Sequence, residues 1–212
     1  MADLEFFFDP VCPWAWITSR WVTEVQQLRD YEVTWRFVCL KMINEHRTKD
    51  WYTPEYRAGH MAGLYGLRVA DQVRIEHGNE QVAAIYTALG EAIHLERRRP
   101  ELIEDPVAMM QGLLKSAGLP PGLADHALDE SHDPYIQGET DLVFERAGKD
   151  VGIPIITFRP GRPDEASFFG PVISSIPRGE AALKLWDAIE TVATTSCMAE
   201  LKRSNRSKPV FD

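Results

Sequence analysis

The chain has 212 residues, 44% of them hydrophobic, and a formal net charge of −9 from 32 acidic and 23 basic side chains. A chain of this size can bury a core without disulfides, and its odd number of three cysteines argues against a secreted disulfide framework and a four-ligand zinc site. The negative charge argues against nucleic acid and anionic membranes as partners. Asp3 and Glu5 stand where a signal peptide would be basic, and no apolar run reaches the ~18 residues of a membrane span, so we expect a cytoplasmic protein.

The first forty residues predict a βαβ unit. Residues 4–8 form a short apolar run that ends before Asp9, which is typical of a buried strand. Pro13 suits the first position of a helix, where its missing N–H has no partner to lose, so Cys12 is predicted to be the N-cap residue. Residues 33–39 alternate in the manner of a strand. Apolar residues spaced by three and four mark the helix between them: Trp14, Ile17, Trp21, Val25 and Leu28.

The middle of the chain has helical patterns, and strand patterns return near its end. The helical stretches are 54–76, 79–96, 105–117, 121–132 and 135–148, followed by strands at 154–158 and 167–169 and a helix after Pro177. This order predicts an α/β protein with a thioredoxin fold that is interrupted by an all-helical insertion. We expect residues 1–43 and 135–212 to form the thioredoxin-like domain and residues 44–134 to form the insert.

Cys12 is the candidate reactive residue. A thiol in the first turn of a helix faces unpaired backbone N–H groups and the positive end of the helix dipole, and both favour the thiolate. We therefore expect Cys12 to be acidic for a cysteine, within a reactive loop of sequence D-P-V-C-P-W. The alternative is an inert cysteine packed into a strand-to-helix corner.

Pro154 is the second candidate feature. It follows Gly152 and Ile153 at the start of a strand, where a proline is tolerated and can be cis. In a thioredoxin fold this proline faces the cysteine at the helix start. A cis bond would turn the N–H and C=O of Ile153 toward a peptide-like substrate, whereas the alternative is an ordinary trans proline in a loop.

Five segments of the chain resemble the mycothiol-dependent nitroreductases of actinobacteria, a family in the DsbA-like branch of the thioredoxin superfamily. The segments are FFFDPVCPWAWITSRWVTEV, KMINEHR, DVGIPIITF, FFGPVISSIPRGEAALKLWD and ELKRSNRSKPVFD. The resemblance spans nearly the whole chain and implies a thioredoxin domain with a helical insert, a mycothiol partner, and reduction of disulfides or nitro compounds. It also implies a C-P-W-C redox site and a cis-proline. Cys12 matches the nucleophile, Pro13 and Trp14 the intervening pair, and Pro154 the cis-proline.

Ala15 stands where the resemblance places the second, resolving cysteine. With two thiols, a mixed disulfide on the first is resolved by its neighbour, but with one thiol it must be released by a thiol from solution. Cys39, on the apolar face of a strand, and Cys197, in a late polar segment, are poor substitutes. The sequence therefore predicts a monothiol cycle on Cys12, whether Ala15 is native or an engineered replacement.

Three further residues are candidates for binding a thiol. The resemblance in MINEHR and PEYR places Asn44 and Tyr56 near the mouth of the site, where the amide and the hydroxyl could bind a sugar-bearing thiol. Capping and core roles are the alternative for both residues. His94 could donate a hydrogen bond near the sulfur, or it could be a structural histidine.

We expect no metal site. The pairs Asp125-His126 and His132-Asp133 carry residue types that ligate metals. Two histidines six positions apart nevertheless face different sides of a helix, so we expect these two to lie apart.

Three functions remain open. The leading hypothesis is a thiol-dependent oxidoreductase that uses Cys12 alone, with mycothiol as reductant and disulfides, thiol adducts, or electrophilic and nitro small molecules as substrates. The second is an enzyme similar to the kappa-class glutathione transferases and chromene carboxylate isomerases, which would hold a bound thiol as the thiolate without a covalent link to the protein. The third is a thiol-binding module that has lost turnover. The resemblance is also compatible with a homodimer.

Overall fold

The computed structural model describes residues 2–46 and 51–211, and within them it contains the predicted four-stranded sheet. The strands are β1 (Leu4–Phe8), β2 (Val33–Phe37), β3 (Ile155–Phe158) and β4 (Ala166–Phe169). They lie in the order β2-β1-β3-β4, in which β1 and β2 are parallel and the other two pairs are antiparallel. This is the topology of the thioredoxin fold, so the predicted fold class is confirmed.

The helix that follows β1 and the helix that follows β4 pack together through tryptophans. They are α1 (Pro13–Leu28) and α8 (Gly179–Thr194). The Trp21 ring lies 5.3 Å from the Trp186 ring, and its Nε1 donates to the carbonyl oxygen of Ala182 at 3.0 Å. Both tryptophan side chains are fully buried, so the apolar stripe that predicts α1 is the face that enters the core.

In the described part of the chain between β2 and β3, every regular element is a helix. The helices are α2 (Leu40–Asn44), α3 (Pro54–His77), α4 (Asn79–Gly90), α5 (Arg99–Glu104), α6 (Pro106–Ser116) and α7 (Asp133–Ala147). A π-helical turn, Glu91–Leu95, continues α4, and two 3-10 helices, Pro121–Leu128 and Glu130–His132, precede α7. None of the helices in the described part of the chain combines the length and the apolar character that crossing a membrane requires.

The second strand ends earlier than its alternating pattern predicts. After Phe37, the N–H of Cys39 donates to Thr140 Oγ1 at 3.0 Å and the N–H of Leu40 to Asp9 Oδ2 at 2.7 Å. These bonds take the backbone away from the sheet, and Cys39 becomes the N-cap of the short helix α2, which the sequence pattern does not predict.

The single helix predicted over 121–132 is wrong, and so is the expectation that its two histidines lie apart. Asp129 has an extended backbone conformation, and its Oδ1 accepts the N–H of Ser131, so the chain turns between the two 3-10 helices. This turn brings the Nδ1 atom of His126 to 3.0 Å from the Nε2 atom of His132. Residues that would diverge on one straight helix therefore meet across a bend.

Candidate active site

Cys12 lies between the end of β1 and the start of α1. It is the N-cap residue of α1, and its Sγ accepts the backbone N–H of Ala15 at 3.5 Å. Its carbonyl oxygen accepts the N–H of Trp16 at 3.0 Å, and Pro13 occupies the first turn. The sulfur thus has the helix-start position that the sequence predicts, with backbone amides directed at it.

The expectation that Cys12 is acidic is wrong for this structure. Its side chain is only 5% exposed, and burial raises the pKa of the thiol to about 12. The backbone amides of Ala15 and Trp14 act in the opposite direction, while the negative charge of Asp9 adds to the increase. Taking a thiolate out of water costs more free energy than the hydrogen bonds from two backbone amides recover. The Cys12 sulfur is therefore held as a neutral thiol.

Asp9 is a site residue that the sequence analysis treats only as the end of a strand. Its side chain is fully buried, where Oδ1 accepts the N–H of Val11 at 2.9 Å and Oδ2 accepts the N–H of Leu40 at 2.7 Å. Burial raises the pKa of this carboxyl to about 7 against the lowering effect of both hydrogen bonds. An acidic residue between an apolar strand and the apolar Val11 is the signal that could have identified it.

Two glycines of α3 bring that helix close to the loop that carries Asp9 and Cys12. A Cβ added at Gly63 would lie 2.5 Å from Asp9 Oδ1, and one added at Gly66 would lie 3.4 Å from Pro10 Cγ. No side chain fits at Gly63 unless the buried carboxyl moves. The close approach of α3 is therefore one cause of the burial that sets the pKa of Asp9.

His94 supports the same loop from the π-helical turn. Its Nε2 lies 2.8 Å from the carbonyl oxygen of Pro10, and since a carbonyl only accepts, Nε2 carries the proton. The ring stacks against Trp16 at 5.9 Å and against Phe211 at 5.6 Å. Burial lowers the pKa of His94 to about 4, so the ring is neutral at pH 7. Its Nε2–H binds the loop two residues before Cys12 and is not directed at the sulfur.

Pro154 lies next to the end of β1. The antiparallel register pairs Phe7 with Ile155. Pro154, one residue before Ile155, therefore lies beside Phe8, the last residue of β1 before the loop that carries Cys12. The Ile153–Pro154 peptide bond is cis, and the carbonyl oxygen of Pro154 accepts the N–H of Gly170 at 2.9 Å. Ile153 itself is buried.

Asn44 and Tyr56 differ in their availability to a ligand. Asn44 is buried, and its Nδ2 donates to the carbonyl oxygen of Leu40 at 2.8 Å within α2, which is the capping role weighed above. Tyr56 is 55% exposed in the first turn of α3, and its ring meets that of His60 edge-on at 5.9 Å. Arg47, the last residue of the KMINEHR segment, lies outside the described residues.

The remaining thiols lie in different environments. All three cysteines are free; Cys39 is buried and Cys197 is exposed. Burial, followed by the charge of Asp9, raises the pKa of Cys39 to about 12. Ala15, at the position of the missing second cysteine, is fully buried in the first turn of α1, whereas Trp14 beside it is half-buried.

The chain is similar to a known protein family and to one curated relative. Residues 11–203 match the Rv2466c-like family, described as mycothiol-dependent nitroreductase Rv2466c. The chain is also similar to the uncharacterized protein Rv2286c of Mycobacterium tuberculosis, with 29% identity over 211 residues that cover 96% of this chain and 82% of that protein.

Two solved structures share the fold. The cytosolic disulfide reductase DsbM from Pseudomonas aeruginosa superposes with a TM-score of 0.59 at 15% identity, over 89% of this chain and 98% of that one. A probable DsbA oxidoreductase from Streptomyces coelicolor gives 0.59 at 16% identity, over 96% and 94% of the two chains. The thioredoxin fold found here is thus of the DsbA-like kind.

Proposed function

Because the chain belongs to the Rv2466c-like family of mycothiol-dependent nitroreductases, it is a thiol-dependent oxidoreductase, and we propose that Cys12 is its single redox-active cysteine, with mycothiol as the reducing co-substrate. One observation carries this proposal: the Cys12 sulfur accepts a backbone amide at the start of α1, while the neighbouring position where a resolving thiol would stand is Ala15. Cys39 is fully buried and caps a different helix. A disulfide formed on Cys12 is therefore released by a thiol from solution.

The cycle consists of two thiol–disulfide exchanges. Cys12 as thiolate attacks a substrate disulfide R–S–S–R′, so that a Cys12–S–S–R bond forms and R′–S⁻ leaves and takes up a proton. A mycothiol thiolate then attacks the R sulfur, which returns Cys12 as thiolate and releases R as a disulfide with mycothiol. A nitro substrate would take the same two electrons and two protons to give a nitroso group and water, with two thiols leaving as one disulfide.

Formation of the thiolate is coupled to substrate binding in this proposal. Burial is the largest cause of the raised pKa of Cys12, whereas the backbone amides of Ala15 and Trp14 lower that pKa. A polar ligand that replaces the apolar surroundings of the sulfur removes the burial penalty and leaves the amides to favour the thiolate. We assign Trp14, Ile153 and Pro154 to the walls that contact this ligand.

Two polar side chains complete the proposed thiol site. Tyr56 offers an exposed hydroxyl to the sugar portion of mycothiol. Asn44 contributes its side-chain amide only if its bond to Leu40 opens, because that bond uses Nδ2. His94 acts on the site by holding the carbonyl oxygen of Pro10. In this proposal, mycothiol places its thiol at the start of α1 and its hydroxyls at Tyr56.

The test is adduct formation with mycothiol disulfide, read by intact mass and peptide mapping. The Cys197→Ser chain, which lacks the exposed thiol, should gain one mycothiol on Cys12, and excess mycothiol should remove it. Cys12→Ser in the same background should gain none. Equal modification of Cys39, or an adduct in the Cys12→Ser chain, would show that another thiol carries the chemistry.

A second candidate is favoured by the neutral state of Cys12. An un-ionised S–H can donate a hydrogen bond to the thiolate of a bound thiol. This is what the second hypothesis, an enzyme similar to the kappa-class glutathione transferases, requires. Cys12→Ser keeps such a donor, so conjugation or isomerisation would survive it while disulfide reduction would be lost. Thiol binding with no turnover of either kind, restored by Ala15→Cys, would instead identify a binding module.

We further propose a cytoplasmic location, small-molecule or disulfide substrates, and no nucleic-acid or membrane partner, since the net charge is −9 and the three thiols are free. The division into a thioredoxin-like part, residues 1–43 and 135–212, and a helical insert, residues 44–134, belongs to the same proposal. A homodimer is its expected assembly, to be checked by light scattering.

A further inference from the structure

Two histidines and an aspartate meet at the bend before α7. His126 Nδ1 lies 3.0 Å from His132 Nε2 and 3.5 Å from Asp129 Oδ2, and that carboxylate oxygen lies 4.0 Å from His132 Nε2. We propose that His126, Asp129 and His132 form a binding site for a divalent transition-metal ion of the Zn²⁺ class. A tetrahedral ion with bonds of about 2.0–2.1 Å separates its ligand atoms by about 3.3–3.4 Å, and the three distances bracket that value.

Two of the three side chains, His132 and Asp129, already present a free electron pair to the cluster. Asp71 Oδ2 lies 2.8 Å from His132 Nδ1, and since a carboxylate accepts, the proton is on Nδ1 and the lone pair of Nε2 points into the cluster. Asp129 Oδ1 accepts the N–H of Ser131 at 2.9 Å, which leaves Oδ2 for an ion. A carboxylate behind a ligating histidine is the usual outer support of protein zinc sites.

The scaffold behind the cluster is held by charged side chains. Asp71, on α3, is buried and also pairs with Arg74 at 2.7 Å. Arg68, on the same helix, binds Asp133 at 2.7 Å and donates to the carbonyl oxygen of Ala127 at 3.3 Å. The two ends of the bend are therefore tied to α3, and the ligand atoms are positioned before any ion arrives.

The site is open on one side. The side chain of His132 is 6% exposed, whereas those of His126 and Asp129 are 30% and 43% exposed. An ion can enter from this side and complete its coordination with water. Without an ion, the N–H of His126 Nδ1 donates to Nε2 of His132, and metal binding would require this proton to move to Nε2 of His126. Imidazole and carboxylate ligands suit Zn²⁺ and its close neighbours better than Ca²⁺ or Mg²⁺.

The test is titration of the full chain with Co²⁺ and then with Zn²⁺. The Cys197→Ser background removes the exposed thiol that would compete for these ions. We expect one saturable Co²⁺ site with the visible absorption of a low-symmetry N/O site and no sulfur charge-transfer band, displacement by Zn²⁺, and a higher Tm with Zn²⁺ than with a chelator.

The variants avoid the buried His132. Asp129→Asn keeps the oxygen that accepts from Ser131 and replaces the one facing the ion, and His126→Ala removes a partly exposed ring. Each should weaken Zn²⁺ binding at least tenfold and remove the Tm shift. His77 is an exposed histidine beside Glu76, so His77→Ala is the matched control and should bind Zn²⁺ as the parent does. Lack of saturable binding by the parent, or unchanged binding by Asp129→Asn and His126→Ala, would overturn the proposal and leave a hydrogen-bonded histidine pair.

Discussion

At the scale of single residues, the chemistry of Cys12 is set by a competition between local amides and burial. The helix start directs the amides of Ala15 and Trp14 at the sulfur, but the surrounding core and the charge of Asp9 oppose ionisation. The carboxyl of Asp9, whose pKa burial raises to about 7, changes its charge near neutral pH. The reactivity of the thiol is thereby linked to a neighbouring group that does not contact solvent.

Replacing Asp9 by Asn should increase the reactivity of Cys12. The variant removes a negative charge that raises the pKa of the thiol, so the thiolate fraction at a given pH rises, about tenfold for each unit by which the pKa falls. The measurement is the pH profile of iodoacetamide alkylation at Cys12, followed by peptide mass spectrometry. Cys197 in the same chain is an internal control and should keep its profile. A Cys12 profile that does not move to lower pH would contradict the role of Asp9.

His94 should make the protein sensitive to mild acid. Burial lowers its pKa from 6.5 to about 4, so between these values the unfolded chain binds a proton that the folded chain does not, and stability falls as the pH falls through this window. His94→Gln can still donate to Pro10 and cannot titrate. Urea unfolding at pH 7.5 and 4.5 should show that the parent loses about 2 kcal/mol more than the variant. Equal losses in both proteins would mean that His94 titrates normally.

At the scale of elements, α1 packs closely against the end of α4, where the π-helical turn that carries His94 begins. A Cβ added at Gly90 would lie 2.1 Å from two carbons of the Trp16 ring, and that ring is itself buried between Tyr86 and His94. A glycine is therefore required at the last position of α4. The π-helical turn that follows is a local widening of the helix of the kind often found at functional sites.

Two glycine-to-alanine substitutions in helices should have opposite effects. Gly90→Ala should destabilise the fold by about 3 kcal/mol or more, because the added methyl group would overlap the ring of the buried Trp16. Gly112 lies in α6, and an added Cβ there would have no atom within 4 Å. Gly112→Ala should stabilise the fold by about 0.5–1 kcal/mol, because alanine lowers the conformational entropy of the unfolded chain. Both free energies of unfolding come from urea titrations. A loss at Gly90→Ala no larger than a surface substitution would disprove the close contact.

At the scale of the whole molecule, charged side chains join the sheet to α7. Arg36 on β2 bonds to Glu5 on β1 at 2.6 Å and to Glu139 on α7 at 2.8 Å, and Arg146 on α7 bonds to Glu5 as well. These four side chains are largely shielded from solvent. Since β2 precedes helices α2 to α6 in the chain and α7 follows them, this network joins segments on both sides of those helices to the central strand β1.

Arg36→Met should be strongly destabilising. It retains most of the apolar stem and removes the cation that Glu5 and Glu139 share. Glu139 loses this partner while Glu5 retains Arg146, at a cost of about 3–5 kcal/mol. Lys184→Met breaks the exposed pair with Glu180 on α8 and should cost less than about 1 kcal/mol. Urea unfolding of both variants gives the comparison, and similar losses would show that the network contributes no more than a surface pair.

The sequence by itself determined most of the elements, the strand-to-helix position of Cys12 and the family. The elements and the position of Cys12 follow from local signals, which are the apolar periodicity and the proline after Cys12, whereas the family follows from the resemblance carried by five segments. The end of β2 and the bend at Asp129 were not predictable from periodicity, because each depends on side-chain hydrogen bonds that replace the regular backbone pattern.

Only the tertiary structure decided the ionisation of Cys12, the role of Asp9 and the meeting of His126 with His132. The physical reason is common to all three. A pKa depends on which distant segments exclude water from the group, here α3 above the loop, and no spacing along the chain records that packing. The histidine pair likewise depends on a turn and on the carboxylate of Asp71, which lies 61 residues before His132 in the chain.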